Sequence, residues 1–140
     1  MKKLIDRDAP GAPDINLATV NLRDVAAAHL SALTSPDSAG QRFLCAEKNH
    51  SMREVAVILQ EHLDPLGYKI PTMKIPAIAL RVVALWDKTA RLAPKDLGQR
   101  QDLDPTQIRR VLHRTSKDLR EMTVSMTNTM IRNGVVATGP

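Results

Sequence analysis

From Asn16 to Leu63 the chain alternates between two hydrophobic periods, which confines it to a mixed helix-and-strand fold. Thr19 and Val20 bring β-branched residues to a short strand over Leu17–Leu22. A helix then takes over, with Leu22, Val25, Ala26, His29 and Leu33 on one face. Asn21 and Asp24 are both able to supply its N-cap oxygen, and the spacing leaves the choice open. Ser35-Pro36-Asp37 ends it. After Gly40, Arg42-Phe43-Leu44-Cys45-Ala46 suits a short buried strand. Ser51-Met52-Arg53-Glu54 has the S-x-x-E form of a capping box, in which serine and glutamate each bond the other's backbone N–H. Behind it Met52, Val55, Ala56, Leu59 and Leu63 line one helix face, which stops before Asp64-Pro65-Leu66-Gly67.

The flanks are read the same way. Met1 to Asp14 is polar, with a turn signal at Pro10-Gly11-Ala12-Pro13, and is expected to be irregular. Tyr68–Ile75 is expected to be extended, punctuated by Pro71 and Pro76. A helix apolar on nearly all sides is predicted from Ala77 to about Leu92, with Pro76 at its start, and a loop from Ala93 to Asp102. Asp104 is placed to cap a helix from Pro105 through Ile108, Val111 and Leu112, broken at His113–Ser116. A last helix is predicted over Lys117–Asn133, with Leu119, Met122, Met126 and Met130 on one face and Gly134 as its stop. The tail from Val135 to Pro140 is expected to fray.

Composition removes several classes of function. The longest apolar run, Ile75–Trp86, contains Arg81 and falls short of the roughly 20 residues a spanning helix needs. No apolar segment follows Met1-Lys2-Lys3 as a secretory leader requires. The single cysteine, Cys45, rules out an intramolecular disulfide and fits a reducing, cytoplasmic setting. With three aromatics (Phe43, Tyr68, Trp86), the core must be built from aliphatic residues and methionine.

A phosphate-cradling loop needs clustered glycines, and Gly11, Gly40, Gly67, Gly98, Gly134 and Gly139 are scattered. Tyr68 has Thr72 four residues on, so a Y-x-x-x-K proton-transfer pair is absent. His29, His50, His62 and His113 include no pair at metal-ligand spacing, and Cys45 has no second thiol. Asp102 and Asp104 lack the glycine and terminal glutamate of a calcium loop. No acid or nucleophile accompanies His29, which reads as a histidine packed on a helix face with one ring nitrogen bonded locally. Cys45 reads as a small core hydrophobe. The net charge is +5, and Arg109, Arg110, His113, Arg114, Lys117 and Arg120 form a basic run. Without a stacking platform, a solvated face accounts for that run better than a nucleic-acid footprint does. The row Met122, Met126, Met130 reads as core rather than as a docking surface.

One resemblance joins these segments. Val20-Asn21-Leu22-Arg23-Asp24-Val25-Ala26-Ala27-Ala28-His29 resembles the V-D-V-R-D-V-A-x-A-H segment of extended short-chain dehydrogenases/reductases. The nearest branch is the dihydroflavonol reductase-like and NAD-dependent epimerase/dehydratase group. Ala39-Gly40-Gln41-Arg42-Phe43 resembles that family's A-G-x-R-[FY] entry to its last sheet strand. Ser51-Met52-Arg53-Glu54 resembles the start of its next helix, and Lys69-Ile70-Pro71-Thr72 its K-[VI]-P-T segment. Asp102–Leu112 resembles its D-x-S-x-A-x-x-x-L-G segment, and Ser116-Lys117-Asp118-Leu119 the entry to its final helix. The likeness runs from about Leu4 to Val136. Asn21 replaces the usual aspartate, Asp104-Pro105 a serine or asparagine, and His113-Arg114 a Gly-Trp pair.

The resemblance implies an α/β architecture: a mostly helical C-terminal fragment of a Rossmann-type reductase, with about five helices and two or three short strands. Residues 1–16 would be an irregular lead-in, 17–134 a substrate-binding cap with one last sheet strand near 42–46, and 135–140 a tail. It implies NAD or NADP as cofactor of the complete protein, bound by a missing N-terminal Rossmann part that also holds the catalytic Tyr and Lys. This chain is accordingly expected to bind no cofactor or metal and to contribute no catalytic residue. Within the complete enzyme, Pro13, Ile15 and Leu17 are the expected wall of a small-molecule substrate pocket. The alternative is a stand-alone protein-interaction module derived from such a cap, closed internally or as a homodimer.

Overall fold

The computed structural model describes residues 1–13, 15–46, 48–76, 78–79 and 100–136. Apart from residues 78–79, which are helical, the helix expected over Ala77–Leu92 lies outside them, as do most of the Ala93–Asp102 loop and the end of the tail. Helix α3 is the centre of the main core; in order, the elements are α1 (Lys2–Ile5), β1 (Ala12–Pro13), β2 (Asn16–Ala18), α2 (Leu22–Thr34), β3 (Asn49–Ser51), α3 (Met52–Leu63), β4 (Lys74–Ile75), α4 (Thr106–Leu112) and α5 (Leu119–Arg132). Short 3-10 turns occupy Pro36–Ser38 and Asp64–Leu66.

The capping box forms as the spacing predicts. Glu54 N–H donates to Ser51 Oγ at 3.2 Å, and Ser51 N–H donates to Glu54 Oε2 at 2.7 Å. Behind it Val55, Ala56, Leu59 and Leu63 are buried, and α5 packs against this helix. Gly67, at φ 85°, closes the turn after it, where a side chain would be strained.

The lead-in is not irregular throughout, as polarity suggested. Residues 2–5 form one helical turn that buries Leu4 and Ile5 in the same core as Leu59, Leu63, Tyr68, Ile70, Leu119 and Val136. Two adjacent apolar residues suffice, because only one side of a single turn has to reach the core. Next, β1 runs parallel to β4, pairing Ala12 with Lys74 and Pro13 with Ile75. Gly11 is required by close approach: a Cβ there would sit 2.3 Å from Met73 O. β2 is shorter than predicted, ending at Ala18, and pairs antiparallel with β3.

Asn21 caps α2, accepting the Arg23 N–H at 2.9 Å. Asp24 has other work, accepting the Lys117 N–H at 2.8 Å and so tying α2 to the loop before α5. The apolar face predicted for α2 is not the face it buries. Ala28 is the buried residue, packed with Ile108 and Leu112 of α4 and with Ala32, Phe43 and Cys45. Leu22 and Leu33 are 82% and 83% exposed, Leu30 is 66% exposed, and Ala26 and His29 also face solvent. Periodicity identifies an apolar stripe but not what the stripe meets. The strand expected at 42–46 is likewise not formed, since residues 41–46 join no ladder with any described residue.

In α5 the buried positions are Leu119, Thr123 and Thr127. Met122 and Met130 pack at the core's margin, whereas Met126 is 52% exposed, so the methionine row is only partly core. Thr127 Oγ1 donates to Thr123 O at 2.7 Å, which satisfies the hydroxyl within the helix and lets two short side chains lie against the core. Asp118 caps this helix through the Arg120 N–H, and Gly134, at φ 64°, terminates it.

Candidate functional site

Described residues line cavities at three places. The largest of these three, about 590 Å³, opens between the N-terminal ends of α3 and α5. Arg53 and Arg120 stand on its rim, His50, Ser51 and Asp118 line it, and Val57, Ile58 and Leu119 supply its apolar surface. Its charges are largely answered within the protein: Arg120 pairs with Glu61, and His50 Nδ1 lies 3.8 Å from Glu54 Oε2. A second cavity of about 420 Å³ lies between the start of α2 and α5, with Leu22, Arg23, Met122 and Met126 among its walls. The third, beside Cys45 and Arg114, measures about 10 Å³, too small for anything beyond a solvent molecule.

Pro13, Ile15 and Leu17 line none of these three. Pro13 is held against Ile75 in the parallel pair. Ile15 is half-buried, and its carbonyl accepts the Met52 N–H at 3.0 Å. Leu17 sits opposite His50 in the antiparallel pair, partly exposed. The three therefore follow one another along the chain without converging on any of these three cavities. His50 and Arg53, which do converge, carried no sequence signal beyond membership of the capped α3 start.

Within the basic run, Arg114 Nε donates to Ser31 Oγ at 2.9 Å, Lys117 pairs with Glu121 and Arg120 pairs with Glu61; Arg109 and Arg110 are on α4. His29 Nδ1 is 2.8 Å from Val25 O, a local bond within α2, although the ring faces solvent instead of a packed surface. Asp104 accepts the Thr106 N–H at 2.9 Å. Hydrogen bonds from the Thr106 side chain and backbone hold its carboxyl below the ordinary value of 3.8. No group of three or more His, Cys, Asp or Glu among the described residues is placed to hold a metal ion, and none of the described helices is long and apolar enough to cross a membrane.

Among the described residues, no glycine-rich loop leads into a helix N-terminus. The pyrophosphate of a dinucleotide needs a helix N-terminus with free N–H groups and a glycine-rich approach. Here Asn21, Ser51 and Asp118 each take one backbone N–H at the starts of α2, α3 and α5. Gly40, Gly67 and Gly134, at positive φ, occur singly, at or just beyond the ends of helical segments.

No protein-family model matches the chain, and no curated protein sequence does either. Solved structures do match its fold. Gre2 from Candida albicans, in complex with NADPH, superimposes with a TM-score of 0.63 at 22% identity, over 93% of this chain and 33% of that one. Yeast methylglyoxal/isovaleraldehyde reductase Gre2, also complexed with NADPH, gives 0.63 at 22% identity, over 95% of this chain and 40% of that one. The terminal R domain of the myxalamid PKS-NRPS pathway gives 0.65 at 13% identity, over 99% of this chain and 38% of that one. The chain thus spans about a third to two fifths of the length of the proteins it matches. Over that span it has the mostly helical α/β fold of part of a Rossmann-type reductase.

Proposed function

We propose that these 140 residues are the C-terminal, substrate-binding part of an NAD(P)-dependent oxidoreductase or epimerase, with the cofactor loop and the catalytic Tyr and Lys located elsewhere. One observation carries the reading: nearly the whole chain superimposes on reductases of which it covers only 33–40%. The ordered motifs from Val20 to Leu119 support it, as does the scatter of the six glycines, no two of which are close enough for a phosphate loop. Residues 17–134 then form the cap, and Pro13, Ile15 and Leu17 contribute to a substrate wall completed by the other half. The isolated chain is expected to be without redox activity.

Titration with NADPH and with NADH, followed by nucleotide fluorescence, tests the reading. No saturation is expected at concentrations where the matched reductases would be filled. Tight, saturable binding of either nucleotide overturns it. The closed core around α3, where Leu59 and Leu63 are wholly buried, favours a second reading as a stand-alone interaction module. Such a module unfolds cooperatively and binds no hydrophobic dye, whereas an incomplete enzyme exposes the apolar surface of α2 to one.

A further inference from the structure

The cavity of about 420 Å³ between the start of α2 and α5 falls within the size range of small-molecule sites. Val20 and Leu22 form its apolar wall on one side, and Met122 and Met126 form it on the other. Leu22 is 82% exposed and Met126 is 52% exposed, so covering them removes apolar surface from water. Methionine is unbranched and polarizable, and two of them adapt to the outline of an apolar body. Polar atoms along the same walls are already engaged. Asn21 Oδ1 accepts the Arg23 N–H at 2.9 Å, and Thr129 Oγ1 donates to Ser125 O at 2.9 Å.

Arg23 is the one charged side chain among the described walls of this cavity, and it is exposed. Its neighbour Asp24 is occupied elsewhere, accepting the Lys117 N–H and lining the small cavity beside Cys45. The cavity between α3 and α5 is different: Glu54 and Asp118 line it, and its Arg120 pairs with Glu61. An apolar pocket with one guanidinium at its edge and no carboxylate among its described walls complements an apolar body that ends in one negative charge. A guanidinium meets both oxygens of a carboxylate, and the first turn of α2 adds the positive end of the helix dipole. We propose that this cavity binds an amphipathic monocarboxylate of about eight to ten carbons, its apolar body against Leu22, Met122 and Met126 and its carboxylate on Arg23. Pro13, Ile15 and Leu17 are not among the walls, so the site goes beyond the function proposed above.

The test titrates the 140-residue chain, its methionine methyls labelled with carbon-13, with sodium octanoate and in parallel with octan-1-ol, which has the same length and no charge. The Met122 and Met126 signals are expected to shift together and saturate with a Kd below about 1 mM. Met73, 67% exposed and outside the cavity, should stay still. Octan-1-ol should bind at least about tenfold more weakly than octanoate. Arg23→Gln should weaken octanoate by the same factor, leave the alcohol unchanged and move the melting midpoint by no more than about 1 °C. Equal affinity for acid and alcohol overturns the proposal, and that comparison needs no variant. Octanoate binding that R23Q leaves unchanged overturns it too. Shifts that never saturate, or that include Met73 equally, mean that octanoate coats the exposed apolar side chains, and they also overturn it. None of these outcomes alters the expected result with NADPH and NADH, so the proposed function is decided separately.

Discussion

Leucine-to-alanine substitution at two helical positions, Leu59 and Leu33, separates the surface this chain has closed from the surface it has left open. Leu59 is 0% exposed and sits in α3 among Leu4, Ile5, Val55 and Leu63. Its truncation removes buried methyl groups and leaves a cavity, at a cost of about 3–4 kcal/mol. Leu33 has less than a fifth of its surface covered. Full burial of a leucine contributes at most about 3 kcal/mol, so its truncation forfeits about 0.5 kcal/mol, which alanine's better helix propensity partly offsets. With a urea slope of about 2 kcal/mol/M, the midpoint should fall by about 1.5–2 M for L59A and by less than about 0.3 M for L33A. Circular dichroism at equilibrium in urea reads both. An L33A penalty above about 1 kcal/mol would mean that the isolated chain covers Leu33 by itself or in pairs, refuting the open surface. An L59A penalty below about 1 kcal/mol would show that α3 is not the centre of the core.

Further expectations rest on single contacts. Ser51→Ala removes the acceptor for the Glu54 N–H and should cost about 1 kcal/mol in the same assay, with Ser51→Asp retaining most of it. Gly11→Ala forces a Cβ against Met73 O and the β1–β4 pair, at about 1–3 kcal/mol; an unchanged melting midpoint would place that backbone contact elsewhere. Because the Asp104 carboxyl is held below its ordinary value, its contribution is present above about pH 3.8 and disappears as pH falls through the lower folded value. Thr106 amide exchange followed through that acid range should show the start of α4 loosening, and Asp104→Ala should abolish the step.

Local chemistry is where sequence reasoning reached furthest. A capping box involves four consecutive residues and their own backbone, so Ser51-Met52-Arg53-Glu54 specified both the start of α3 and its hydrogen bonds. The same locality made Gly134 legible, whereas the residue at the N-cap of α4 is Pro105 and Asp104, one place earlier, accepts the Thr106 N–H. Legibility failed where the deciding partner was distant. Asp24 and Asn21 were equivalent candidates for one cap until Lys117, far along the chain, claimed Asp24. In α5 the methionine row was chosen for its hydrophobicity, yet Thr123 and Thr127 were buried because a hydroxyl bonded within its own helix needs no other partner. Sequence offered Pro13, Ile15 and Leu17 as a wall, whereas the two larger cavities described lie between helices that only packing brings together.

Residues within a turn or two of one another were enough to place helices α2 to α5, the capping box at Ser51–Glu54 and the stop at Gly134. Tertiary structure alone decided which side of α2 meets the protein, that Leu4 and Ile5 belong to the core, and that residues 41–46 stay without a ladder. An apolar stripe is the same in sequence whether it is covered or bare; only the packing of Ala28 against Ile108 and Leu112 turned Leu22 and Leu33 toward solvent.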